Sequence, residues 1–78
     1  MNEIKIINKF SAPKRTVLIT NKELPEEIWI GDQAKINDIT YTIIGVPISD
    51  RNTFVVDKTD KISVGQIVKF YKAQVFKR

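Results

Sequence analysis

The stretch from Glu27 to Val46 constrains this chain most, because it writes a turn and a complete β-hairpin in one short passage. Gly31 and Asp32 form a turn signal, and Ile39, Tyr41 and Ile43 alternate with Thr40 and Thr42. Asn37 and Asp38 stand between two β-prone arms as a two-residue connection. Both tolerate the positive φ that a tight hairpin requires, although glycine is the commoner second residue. The hairpin is therefore read as Gln33 to Asn37 pairing with Ile39 to Val46, with Ile39, Tyr41 and Ile43 turned inward.

The rest of the chain repeats the same grammar. β-Branched residues are dense, helical periodicity is scarce, and glycine or proline breaks the line at intervals. Strand one is expected over Asn2 to Phe10, with Ile4, Ile6 and Phe10 inward and Lys5 and Lys9 outward. Asn8 fits the inner face poorly and suggests a bulge. Pro13 turns the chain, and Arg15 to Thr20 reads as a strand suited to burial on both faces. Asn21 to Glu27 is a polar connection with room for one helical turn. Pro47 stops the hairpin arm, Ser49 to Asn52 turns, and Thr53 to Val56 is a further strand. Asp57 to Lys61 is a charged turn, and a last long strand runs from Gln66 to about Phe76. In that strand Val68 and Phe70 share one face, and Ile67, Lys69 and Tyr71 share the other. Short strands with turns every 8 to 12 residues and no helix between them predict an all-β, mostly antiparallel barrel of about six strands, residues 1–78 forming one domain.

At 78 residues such a domain has a modest core, and with no cysteine and no histidine it lacks the usual disulfide or zinc staple. Packing or a partner must supply the stability. The N-terminus mixes an acid with regularly spaced lysines, so neither a signal peptide nor a membrane span is expected, and a soluble, cytoplasmic protein is the reading.

Catalytic chemistry finds few players. Gly31, Gly45 and Gly65 do not make the spacing of a phosphate-cradling loop. A nucleophilic triad lacks its histidine base, and zinc lacks its ligands. The remaining carboxylate pairs, Glu26 with Glu27 and Asp57 with Asp60, fall in stretches that read as solvated loops. No enzyme activity, cofactor or metal is expected.

The charge distribution points to binding instead. Residues 1–60 carry eight basic against nine acidic groups, net −1, whereas residues 61–78 carry five basic groups and no acid. Lys69, Tyr71, Lys72, Lys77 and Arg78 interleave cations with an aromatic, which suits contact with an acidic partner or a nucleic acid, since phosphates meet cations while bases stack on a ring. The alternative is a terminal edge strand that keeps a charged outer face for solubility. Trp29, between Ile28 and Ile30, reads as a core or rim side chain at the end of the barrel before it reads as a partner anchor. Lys14 and Arg15 form a smaller cationic spot in a solvated turn.

From Phe10 to Phe70 the order of features resembles the second domain of translational GTPases such as elongation factor Tu. The likeness is carried by Arg15 to Thr20, the turn Ile30-Gly31-Asp32, the hairpin Ala34 to Gly45, and the late segment Val64 to Val68. The resemblance implies a small β-barrel, which in that family packs on a GTPase domain and touches RNA or the ribosome. The sequence departs from the family where glycine is usual, having Asn21 to Glu27 after the first strand pair and Asn37-Asp38 at the hairpin tip. It holds no nucleotide-binding segment, and no RNA-contacting residue transfers by matching. The expected function is a non-catalytic module docking onto a protein or ribonucleoprotein. Direct binding of RNA or single-stranded nucleic acid through the last strand is the first alternative, and a structural piece of a phage-like or mobile element is the second.

Overall fold

The computed structural model describes residues 3–73. Six strands form one antiparallel sheet: β1 Ile4–Ser11, β2 Arg15–Thr20, β3 Gln33–Ile36, β4 Ile39–Thr42, β5 Thr53–Asp57 and β6 Ile67–Tyr71. The strands run in the order β4-β3-β6-β1-β2-β5 across the sheet. No helix occurs among the described residues, and the connection Asn21 to Glu27 holds a reverse turn closed by Ile28 N–H on Pro25 O (3.0 Å) in place of the helical turn. The fold class is all-β, as the sequence predicts.

Turn chemistry sets the register of the hairpin. Asn37 and Asp38 have φ of 51° and 66°, the left-handed pair of a type I′ connection whose twist matches that of the strands it joins. Ile36 therefore opposes Ile39, Lys35 opposes Thr40, Ala34 opposes Tyr41 and Gln33 opposes Thr42. Before β3, Gly31 at φ 97° closes a turn in which Asp32 N–H donates to Trp29 O (3.0 Å).

One face of the sheet wraps the core, in which Ile6, Leu18, Ile28, Ile36, Ile43, Phe54, Val56 and Ile62 are almost fully buried. Phe54 and Phe70 meet edge to face, centroids 5.3 Å apart at 78°. The two outer strands approach each other at one point, where Ile44 N–H donates to Val55 O (2.8 Å) and Val55 N–H donates to Gly45 O (2.9 Å). A Cβ on Gly45 would lie 3.4 Å from the Val55 side chain, so the close approach suits glycine. This bridge is not a continuous ladder, and the sheet stays open elsewhere between β4 and β5.

Three expectations are corrected. The bulge falls between Ile6 and Asn8 as expected, but the inserted residue reverses the alternation beyond it. Phe10 consequently faces outward and is half-exposed, while Lys9 turns inward opposite buried Leu18 and its Nζ donates to Ile62 O (2.7 Å). The second hairpin arm ends as a strand at Thr42, since Ile43 to Val46 bend away to the bridge. The last strand ends at Tyr71 and does not continue through Lys72 and Ala73, while the expected extension to Phe76 lies outside the described residues.

Candidate binding face

The position of β6 decides the geometry. It lies between β3 and β1, in the interior of the sheet, so the edge-strand expectation is corrected. Its inward residues Val68 and Phe70 alternate with outward Ile67, Lys69 and Tyr71. Pairing on both sides then places other strands' residues beside these three: Lys69 stands directly opposite Lys35 of β3, Tyr71 opposite Gln33, and Ile67 opposite Lys5 of β1. The outer face of β1, β6 and β3 thus gathers Lys5, Lys35 and Lys69 around Ile67 and Tyr71. An open groove of about 840 Å³ is lined by Lys35, Lys69, Ile67 and Tyr71, with Glu3 and Asp38 also in its wall.

These lysines differ from three others in the chain. The Nζ of Lys9, Lys58 and Lys72 each donates to a backbone carbonyl, of Ile62, Ala12 and Glu27 respectively. Among the described residues, the ammonium groups of Lys5, Lys35 and Lys69, like those of Lys14, Lys22 and Lys61, make no ion pair and no hydrogen bond. Like charges directly opposite on neighbouring strands destabilise a sheet, by up to roughly 1 kcal/mol for one pair. Lys35 and Lys69 stand in that relation with no acid within ion-pair distance among the described residues.

The predicted tail cluster is divided by the structure. Lys69 and half-exposed Tyr71 lie on the face. Lys72 turns away from it, its Nζ donating to Asp32 Oδ2 (2.9 Å) and to Glu27 O (2.7 Å). Lys77 and Arg78 lie outside the described residues. Asp32 is a structural hub: its Oδ2 also accepts the Trp29 N–H (2.8 Å), and its Oδ1 accepts the Ala73 N–H (3.0 Å). Burial alone would raise the Asp32 carboxyl, but the Ala73 N–H, the Lys72 ammonium and the Trp29 N–H outweigh it and hold the pKa at about 2.

Trp29 sits at the rim, 43% exposed, under the Arg51 guanidinium, which lies 4.1 Å from the ring centroid. Arg51 also donates to the carbonyls of Ile28, Leu24 and Pro25, so this pair clasps the long connection to the loop before β5. Lys14 and Arg15 are exposed, with Arg15 opposite Asp57.

Lys35 escapes a reading confined to the charged tail. Its signal was present, since it alternates with buried Ala34 and Ile36, but only the pairing of β3 with β6 brings it to Lys69. No family model, no curated protein and no solved structure matches this chain. No helix among the described residues is long and apolar enough to cross a membrane, and they hold no cluster of three metal-ligating side chains.

Proposed function

We propose that this chain is a non-catalytic binding module that docks onto a protein or ribonucleoprotein partner through the outer face of β1, β6 and β3. The observation that carries the reading is the Lys35 and Lys69 pair, two cations held opposite each other with no carboxylate within ion-pair distance among the described residues, in a groove whose wall also holds Glu3 and Asp38. An anionic partner surface would relieve that repulsion and gain from Lys5 beside it. Ile67 and Tyr71 supply apolar area between the charges, the mixture typical of an interface. The non-catalytic part rests on side-chain chemistry: histidine and cysteine are absent from the sequence, and the buried carboxylate Asp32 has its pKa pushed downward and is engaged in hydrogen bonds. The order of features, which resembles that of the second domain of translational GTPases, is in keeping with a barrel-like docking module.

A second reading, direct contact with single-stranded RNA, is favoured by one observation. Tyr71 lies two residues from Lys69 on the same exposed face, which would let a base stack while a phosphate meets the cation. One experiment separates the two. Wild type and a Lys35→Glu/Lys69→Glu variant are cross-linked to their partners in cells and compared after nuclease treatment. The docking reading expects a protein held by wild type at low salt, lost in the variant and retained after nuclease. Loss on nuclease treatment with a bare nucleic acid cross-linked at Tyr71 favours the second reading, and equal recovery with wild type and variant refutes both.

A further inference from the structure

We infer that the outer face of β1, β2 and β5 binds a second copy of this chain about a two-fold axis parallel to the strands, which seats Phe10 of each copy over Gly45 of the other and sets Arg15 against Asp57. The contact is separate from the lysine face, since β3 and β6 lie on the other side of β1.

Beyond the bulge in β1 the outward positions line up across neighbouring strands. Phe10 stands opposite Val17, Val17 opposite Val55, and Val55 opposite Gly45 across the bridge. On one side of this row lie Asn8, Ile19 and Thr53, and on the other Arg15 stands opposite Asp57. Phe10 is 52% exposed, Ile7 in the bulge is exposed as well, and Val17, Ile19 and Val55 are half-buried. Thr53 marks the rim, where its hydroxyl donates to Asp50 Oδ2 (3.1 Å). Arg15 and Asp57 are the only charged residues in the three rows. In a chain with 28% charged residues, a sheet face so poor in charge reads as an interaction surface. Arg15 and Asp57 are themselves unspent: both are exposed and directly opposite, yet neither makes an ion pair among the described residues. Lys58, by contrast, is engaged on its own chain, its Nζ donating to Ala12 O (3.0 Å).

The order of side chains along the rows selects the occupant. A two-fold contact must be self-complementary, and an axis running parallel to the strands between β2 and β5 reverses each row onto itself. Phe10, Val17, Val55 and Gly45 then meet Gly45, Val55, Val17 and Phe10 of the second copy. The largest side chain of the row faces the position that has none, and the valines interdigitate between them. The same operation sets Arg15 against Asp57 of the second copy, twice. A two-fold axis along the Phe10 to Val55 row would instead place Arg15 over Ile19 and Asp57 over Thr53, so the charges favour the first axis. Twisted sheets pack face to face at roughly 30°, which makes the match closest near the axis. Three rows of three or four positions, each roughly 5 by 7 Å, give roughly 300–400 Å² of face per copy. That is the weak end of specific interfaces, so dissociation constants of roughly 10–500 μM are expected.

The test measures self-association of the whole chain by sedimentation from roughly 10 μM to 1 mM. The mean mass of wild type should climb toward that of two chains. At 1 mM, a mixture of isotope-labelled and unlabelled wild type should show intermolecular NOEs between the Phe10 ring and the Gly45 α-protons. Arg15→Asp and Asp57→Arg should each weaken association roughly tenfold or more, because like charges then face each other across the axis. An equimolar mixture of these two variants restores opposite charges at both contacts and should associate within a few-fold of wild type. Recovery on mixing also shows that each variant is folded. Wild type that stays monomeric at 1 mM overturns the inference, as does association without the Phe10 to Gly45 NOE. Association unchanged in both single variants, or a mixture no tighter than either variant alone, overturns it too. Lys35 and Lys69 are untouched by these changes, so the docking reading keeps its own test, and the Lys35→Glu/Lys69→Glu variant should dimerise as wild type does.

Discussion

Removing the charge of Asp32 should lower stability at neutral pH and leave almost no difference in strong acid. Its carboxyl is held at about 2 against an ordinary 3.8, a depression worth about 2 kcal/mol of folding free energy at pH 7 when converted at ~1.4 kcal/mol per pH unit. Lys72 has a side chain 57% exposed, so the ion pair itself adds little and the two backbone N–H donors, from Trp29 and Ala73, carry more of the effect. Asp32→Asn keeps one acceptor oxygen but loses the charge and leaves one donor poorly matched, which puts the expected loss at roughly 1–3 kcal/mol. A pKa depressed in the folded state gives stability that is present above the unfolded value and lost as pH falls through the folded one. The gap between wild type and Asp32→Asn should therefore be full above about pH 5 and shrink steadily toward pH 2. Urea unfolding at pH 7, 4 and 2.5 measures it. A gap that stays constant across that range, or is missing at pH 7, would refute the account of Asp32 as a charge-stabilised hub, and Lys72→Met should cost well under half as much as Asp32→Asn.

Three further outcomes follow from the hairpin and core. Asp38→Gly should raise the melting temperature by a few degrees, since Asp38 sits at φ 66° and glycine removes up to about 1 kcal/mol of backbone strain there; a fall in thermal unfolding would show an unrecognised role for its carboxylate. Ile43→Ala should cost roughly 2–5 kcal/mol in urea unfolding because Ile43 is fully buried, whereas Thr42→Ala on the exposed face should cost well under half of that. Tyr41→Phe removes a buried hydroxyl that has no partner among the described residues and should leave stability unchanged or raise it by about 1 kcal/mol; a loss of that size would mean the hydroxyl has a partner in solution.

The hairpin was legible because its determinants are local. Asn37 and Asp38 carry the turn, and the alternation that follows them sets which face is buried. Arg15–Thr20 was legible for the same reason, since β-branched residues between Pro13 and a polar stretch leave few other readings. Phe10 was misread although the bulge was anticipated: one inserted residue changes the parity of everything after it, so locating a bulge only approximately does not say which face a later residue takes. The candidate face was half legible. Lys69 and Tyr71 alternate correctly with Val68 and Phe70, but the neighbours of β6 are set by pairings across more than thirty residues of chain to β3 and more than sixty to β1, which spacing does not encode. The same gap in information let Lys72 pass as a free cation, because its partner Asp32 lies 40 residues away in sequence.

Docking of an anionic partner on the outer face of β1, β6 and β3, as proposed, is open to amide chemical-shift mapping during titration with a polyglutamate peptide. The account predicts that the largest shifts fall on Lys5, Lys35, Ile67, Lys69 and Tyr71, weaken as salt is raised, and disappear in the Lys35→Glu/Lys69→Glu variant. Shifts centred on the other cationic corner, at Lys14, Arg15 and Lys58, with the β6 face undisturbed, would contradict it.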